Sequence, residues 1–212
     1  MSDLRVQVGD SDLTLGAEGN PVSVKGSKRG EMYVVDFYTR MALAGRAYNV
    51  RAGTISAPFV GDVVITDQAA EMAVSCVTGM TIIPVSTNIS FNLAAATLFE
   101  SAGKSVGTAH TTGDVFVPLP LKIGGNASTS TCAADAAGGV AVAAEVATTT
   151  RRHWSWSQPI AAGAWPTWYD WNPAVPPILT GTACYYVQIG ADTTGPSYFA
   201  SFDFIELSST NV

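Results

Sequence analysis

Few side chains in this chain of 212 residues could carry out catalysis or hold a metal ion. It has two histidines, His110 and His153, and three cysteines, Cys76, Cys132 and Cys184. Zinc sites need three or four Cys or His ligands at characteristic spacings, and no such spacing and no CxxC pair occurs here. A Cys/His pair could still meet in space. We therefore expect structural histidines, buried thiols, no catalytic residue, no metal and no cofactor.

One short motif resembles the end of a phosphate-binding loop. Gly103, Lys104 and Ser105 follow one another, as in the second half of a Walker sequence. That sequence requires a glycine five residues before its Gly-Lys pair, and this chain has Leu98 there. We therefore predict no nucleotide binding at this motif. We also predict no enzymatic activity, with a hydrolase of unrecognised type as the third hypothesis.

The most distinctive stretch is residues 151–179, which holds all five tryptophans and five of the eleven prolines. The tryptophans are Trp154, Trp156, Trp165, Trp168 and Trp171. Each large aromatic can bury about 150–250 Å², whereas the largest apolar patch of a soluble monomer is about 300–600 Å². The rings therefore cannot all face water. Because proline disfavours helix and central strand, we expect a long, stiff loop here.

The tryptophan segment allows three interpretations. Its rings could cover the chain's own core. They could anchor an interface, since tryptophan is enriched at interaction hot spots. Alternatively, Trp165, Trp168 and Trp171 could stack on sugar rings beside Asp170, as in a carbohydrate-binding β-sandwich of the lectin or receptor-binding kind.

Charge and composition restrict the partners. Only 13% of the residues are charged and the formal net charge is −6, so we expect no sequence-specific nucleic-acid binding. Residues 1–51 carry seven Lys or Arg against six acids, and the remainder four against eleven. We expect the basic residues of the arm to pair with acidic groups of neighbouring copies; these residues are Arg5, Lys25, Lys28 and Arg29. The sequence has no apolar run of membrane-spanning length, and MSDLRVQVGD has no apolar core of a secretion signal.

The pattern along the chain is typical of an all-β protein. Roughly eight to ten short, alternating strands are separated by Gly and Pro turns, which indicates a sandwich or barrel. We predict an extended N-terminal arm at 1–31 and a jelly-roll-like β-sandwich at 32–212, with an immunoglobulin-type sandwich second. Strands are favoured from Met32, and also at 41–50, where helix competes. One short helix is predicted near 94–103 (AAATLFESAG).

Over residues 32–207 the chain resembles virion structural proteins of the single jelly-roll type. The resemblance rests on short β runs such as Thr81–Leu93 and Tyr198–Leu207, on the Gly-rich arm, and on the abundance of Ala, Thr and Gly. It implies a protein without catalysis that packs side by side in a shell or decorates one. Its partners would be copies of itself and other virion proteins, and its location the virion, after assembly in the host cytoplasm.

Overall fold

A computed structural model describes residues 36–65, 68–91, 97–134, 139–160, 167–191 and 195–209. The predicted arm at 1–31 lies outside these ranges. Within them the chain forms one helix and fifteen strands, and no helix has the length and apolarity needed to cross a bilayer. The elements are α1 (Phe37–Leu43), β1 (Ala47–Ala52), β2 (Phe59–Val60), β3 (Ala69–Ala70), β4 (Met72–Ser75), β5 (Met80–Phe91), β6 (Thr97–Val106), β7 (Asp114–Phe116), β8 (Leu119–Pro120), β9 (Thr131–Ala134), β10 (Val140–Ala141), β11 (Arg151–Ile160), β12 (Thr167–Trp171), β13 (Leu179–Thr180), β14 (Cys184–Ala191) and β15 (Ser197–Ser208).

The strands form a β-sandwich, as the sequence predicts. One sheet contains the order β12-β5-β15-β1-β8, and the facing sheet the order β11-β6-β14-β4-β9-β7. Along the chain the eight main strands follow the order β1, β4, β5, β6, β11, β12, β14 and β15, and each step crosses to the other sheet except the step from β6 to β11, which both belong to the second sheet. All their pairings are antiparallel. Two four-stranded layers connected in this way form a jelly roll.

The period-2 pattern of the long strands builds the core. Along β15 the residues from Tyr198 to Phe204 alternate between buried and half-buried, so Tyr198, Phe202 and Phe204 face the opposite sheet. Pro84 lies within β5 opposite Phe204 of β15, and proline within a sheet removes a ladder hydrogen bond. On its other side β5 pairs with β13 up to Ile82 and with β12 from Thr87, so Pro84 has no paired residue there. The pairing of β5 with β15 shifts register at this point, so a β-bulge accommodates the proline.

The described chain begins with the helix α1, so the strand prediction is wrong for Phe37–Leu43. The later part of the predicted run 41–50 is a strand, β1, and residues 32–35 lie outside the described residues. Asp36 is the N-cap of α1 and accepts a hydrogen bond from the backbone N–H of Thr39 at 2.9 Å. The helix ends just before Gly45, whose φ of 73° is the left-handed conformation that glycine tolerates. Met41 packs onto the outer face of the first sheet beside Ile83 and other apolar residues. The capping residue Asp36 and the terminating Gly45 therefore favour a helix more strongly than the alternation of apolar and polar residues favours a strand.

The predicted helix at 94–103 is also wrong. Residues from Thr97 onward form β6, and the preceding alanines lie outside the described residues. β6 is an interior strand, bonded to β11 on one side and to β14 on the other. Two complete backbone ladders and the burial of Phe99 override the helix propensity of Leu, Glu and Ala in this stretch.

Candidate interaction surfaces

Two parts of the tryptophan segment are strands, where the sequence predicts a loop. They are β11 and β12, the edge strands of the two sheets on one side of the sandwich, whereas residues 172–178 form neither strand nor helix. Pro159 is accommodated because it lies near the end of an edge strand, where one side of the backbone needs no partner. The segment therefore closes this side of the sandwich with two strands.

Three of the four described tryptophans belong to the chain's own core. Trp154 and Trp171 are 7% and 9% exposed, and Trp156 is half-buried against the same core. The Tyr169 ring lies 4.9 Å from that of Trp154 and 5.6 Å from that of Trp156, measured between ring centroids. These three indoles cap the space between the sheets, which is the first of the three interpretations of the segment.

A hydrogen-bonded chain crosses this core. Trp154 donates its indole N–H to the hydroxyl of Tyr185 at 3.0 Å, and that hydroxyl lies 2.9 Å from the hydroxyl of Thr87. These three residues come from β11, β14 and β5, so the bonds connect both sheets. Burial raises the pKa of Tyr185, which keeps its hydroxyl protonated and able to donate.

Trp168 and Asp170 point the opposite way from their neighbours in β12. Trp168 is 67% exposed and Asp170 is also exposed, whereas Trp171 faces the core. The structure therefore separates the predicted sugar-binding set: Trp171 cannot share a ligand with Trp168. Trp165 lies outside the described residues. Trp168 and Asp170 remain together on the outer face of the first sheet.

The opposite side of the sandwich is closed by the segment that contains β7 and β8. β7 is the edge strand of the second sheet, bonded to β9, and β8 is the edge strand of the first sheet, bonded to β1. Phe116 turns inward and meets Phe59 edge-on, with ring centroids 6.0 Å apart. One continuous segment thus crosses from one sheet to the other.

A row of apolar side chains points outward from this segment. Their exposed fractions run from 41% to 100%. We call the set the apolar edge row: Val115, Val117, Leu119, Leu121 and Ile123. The intervening Phe116, Pro118 and Pro120 are buried or half-buried. Val115, Val117 and Leu119 alternate with inward-facing residues, and Leu121 and Ile123 follow on either side of the exposed Lys122. Exposed apolar residues grouped in this way mark interaction surfaces in soluble proteins.

The backbone of β8 cannot extend the sheet by adding another strand at Pro120. Leu121 donates its N–H to the carbonyl of Ala47 in β1 at 2.9 Å. N–H groups alternate sides along a strand, so the nitrogen of residue 120 is directed away from β1, toward the open edge. That nitrogen belongs to proline and carries no hydrogen. A partner here must therefore contact side chains rather than the backbone at residue 120.

The sequence predicts an edge strand at residues 115–121 but not which side chains face water. Every residue from Val115 to Leu121 is apolar, so there is no polar alternation to assign faces. Pro118 and Pro120 are two residues apart, so their side chains lie on the same side of the strand. Because proline in a sheet occurs mainly at edges, this spacing is a signal that could have separated the inward-facing from the outward-facing residues.

The basic residues predicted to pair with neighbouring copies, Arg5, Lys25, Lys28 and Arg29, lie outside the described residues.

Each of the two histidines lies beside a serine hydroxyl. His110 Nδ1 lies 2.6 Å from the hydroxyl of Ser75, and His153 Nε2 lies 2.8 Å from that of Ser105. Burial lowers the pKa of both histidines, and the Arg151 guanidinium lowers that of His153 further. All three cysteines are buried free thiols.

The thiols are held in the protonated form. Burial raises the pKa of Cys76 and of Cys184 to about 11 and disfavours the reactive thiolate. Across the described ranges no three His, Cys, Asp or Glu side chains are grouped so that they could share a metal ion.

A scan against models of protein families found no match, and a search of curated proteins found no similar sequence.

Proposed function

We propose that this protein is a structural, self-assembling subunit, and that it serves as a viral capsid or capsid-associated protein. The observation that carries the proposal is the apolar edge row on the side of a jelly-roll sandwich. Sheets packed in this way already bury their inner faces, so apolar residues left on a side are available to a second molecule. The resemblance of the chain to single jelly-roll virion proteins supports the same function.

The composition of the row favours contact between proteins. From residue 115 to residue 121 no side chain is charged, and Lys122 is the first to be so. Interface cores are depleted in charged residues in the same way. A fully buried valine, leucine or isoleucine contributes about 1.5–3 kcal/mol, so several of them together would stabilise a subunit contact.

The position of the row favours side-by-side packing. It runs from the edge of one sheet to the edge of the other, across the thickness of the sandwich. A neighbour placed against it would lie beside the sandwich rather than on a sheet face. If the neighbour contacts the row with a surface other than its own row, the interface is heterologous, and interfaces of this kind build rings and shells. In this proposal the basic arm adds ion pairs between copies within the virion.

The test is the assembly state of the purified full-length chain. Multi-angle light scattering gives the mass in solution, and negative-stain electron microscopy shows any particle. Leu119→Asp and Ile123→Asp should each weaken association about 10- to 100-fold, because a charge replaces an apolar contact. Val146→Asp is the matched control, since Val146 is also an exposed valine (49%) but lies outside the row.

Two results would contradict the proposal. One is a wild-type chain that stays monomeric up to high concentration and forms no particle. The other is an assembly that the Leu119→Asp and Ile123→Asp variants leave intact while circular dichroism shows all variants folded.

A further inference from the structure

The outer face of the first sheet arranges its side chains in two cross-strand rows. Trp168 of β12 lies opposite Ser90 of β5, which lies opposite Phe199 of β15. The side chains of these three residues point away from the core, since the neighbours of Ser90 and Phe199 along their strands are buried and Tyr169, next to Trp168, packs against the core. This aromatic row therefore places an indole and a phenyl ring on one surface, two inter-strand spacings or about 10 Å apart.

A polar row lies beside the aromatic row, two residues further along each strand. Asp170 is opposite Asn88, Asn88 opposite Ser201, and Ser201 opposite Arg51. Two residues along a strand correspond to about 7 Å, and three strand spacings to about 14 Å. The polar row thus offers a carboxylate, an amide, a hydroxyl and a guanidinium in sequence across four strands.

The polar side chains are held in place by bonds to each other. Asn88 donates its amide N–H to a carboxylate oxygen of Asp170. Arg51 donates through Nε to the side-chain oxygen of Asn49 at 2.8 Å, and Asn49 donates to Asp203 at 2.6 Å. Side chains fixed before binding lose less conformational entropy when a ligand arrives.

The face is open and partly recessed. A depression of about 550 Å³ is lined by Arg51, Asn88, Phe199 and Ser201, with the loop at 53–56 forming one wall. The helix α1 covers the other end of the same sheet, where it packs on Ile83 and Ile205. The aromatic and polar rows thus lie on the part of the sheet that α1 leaves uncovered.

We propose that this face binds a neutral oligosaccharide. The face of an indole is electron-rich, so it attracts the C–H groups on the flat side of a sugar ring. Asp170, Asn88 and Arg51 provide the acceptors and donors that match adjacent sugar hydroxyls. The floor is too polar to favour an apolar partner, and its length of about 14 Å suits several linked sugars.

The charges on the face favour a neutral sugar over an acidic one. Among the described residues of the two rows and their hydrogen-bond partners, Asp170 and Asp203 are acidic and Arg51 is basic. Sialylated, sulfated or phosphorylated ligands would meet two carboxylates and one guanidinium. This site is independent of the apolar edge row, because the two involve different residues.

The experiment uses the full-length protein on an array of neutral and acidic oligosaccharides, followed by calorimetry with the neutral glycan that binds best. We expect saturable binding of a neutral glycan and a blue shift of tryptophan emission. Trp168→Ala and Asp170→Asn should each weaken binding about tenfold or more, the loss of about 1.4 kcal/mol. Trp168→Phe keeps a ring and should lose less than Trp168→Ala.

The controls separate this site from assembly. Leu119→Asp should bind the glycan with unchanged affinity per site, and Trp168→Ala should assemble like the wild type. Absence of binding to every neutral glycan would overturn the proposal, as would binding that Trp168→Ala and Asp170→Asn leave unchanged. Loss of assembly in Trp168→Ala without any glycan binding would also overturn it, since the face would then be a contact between copies.

Discussion

The indole N–H of Trp154 donates a hydrogen bond to the hydroxyl of Tyr185 at 3.0 Å across the core of the sandwich. Trp154 belongs to the edge strand β11 and Tyr185 to the interior strand β14. Between these two strands lies β6, which places Gly103 beneath the indole. The bond is therefore possible only because the intervening residue has no side chain.

Gly103→Ala should destabilise the protein strongly. A Cβ at this position would lie 2.0 Å from Trp154 Nε1, which no side chain can tolerate. The indole must move, breaking its bond to Tyr185 and opening the closed side of the sandwich. We expect a loss of about 1–3 kcal/mol or more in the free energy of unfolding, measured by urea denaturation.

Gly107→Ala is the matched control for that substitution. Gly107 follows the end of β6, and a Cβ there would meet no described atom within 4 Å. Its unfolding midpoint should stay close to that of the wild type. Equal stability of the two variants would contradict the role of Gly103 in seating the indole.

Glu206 should stabilise the fold above acidic pH. Its buried carboxylate accepts the backbone N–H groups of Thr129 at 3.0 Å and Ser130 at 2.7 Å, and the hydroxyl of Ser128 at 2.8 Å. Burial favours the neutral form, but these hydrogen bonds outweigh it and lower the pKa of Glu206 below its ordinary value. Its contribution is therefore present above the unfolded-state pKa and is lost as pH falls through the folded-state pKa.

The variant Glu206→Gln tests this contribution. We expect it to lose about 1–3 kcal/mol of unfolding free energy near neutral pH. The stability of the wild type should fall between about pH 5 and about pH 3, and the stability of Glu206→Gln should fall less over the same range. Glu100→Gln, a change to a partly exposed acid on β6, is the control and should behave like the wild type. A Glu206→Gln curve that parallels the wild-type curve through the acid range would show the interpretation to be wrong.

Glu71 should have the opposite effect on the pH dependence. It is buried, and its carboxylate accepts the backbone N–H of Ile189 at 2.6 Å and that of Asp62 at 3.4 Å. Burial raises the pKa of Glu71 well above its ordinary value, against the hydrogen bond from Ile189, and the Asp62 carboxylate raises it further. Because folding then favours the protonated form, its contribution is full below the unfolded-state pKa and is lost as pH rises through the folded-state pKa.

Stability measured from about pH 5 to about pH 9 should therefore fall in the wild type. Glu71→Gln cannot ionise, so its curve should be flatter over that range and should lie above the wild type at the alkaline end. Chemical denaturation at a series of pH values provides the measurement. If the unfolding free energies of the two proteins fell equally steeply with rising pH, a group other than Glu71 would cause the loss of stability in the wild type.

The β class and the sandwich could be predicted because long strands such as β5 and β15 alternate apolar and polar residues. The secondary structure of residues 97–106 could not be predicted. β6 contains good helix formers and becomes a strand only because it is hydrogen-bonded to strands on both sides. Prolines misled the interpretation of residues 151–171, since Pro159 sits at an edge that tolerates it. The sequence also indicates Trp168 as a candidate binding residue, but only the register of β12 separates it from the buried Trp171.

Pro120 has a consequence for how copies would come apart. At residue 120 a neighbour can contact only side chains, so no shared ladder of backbone bonds could lengthen from one molecule into the next through this position. A misplaced neighbour can then detach with its own secondary structure unchanged. A shell grown through such contacts could correct its mistakes during growth, which a continuous sheet running between subunits would prevent.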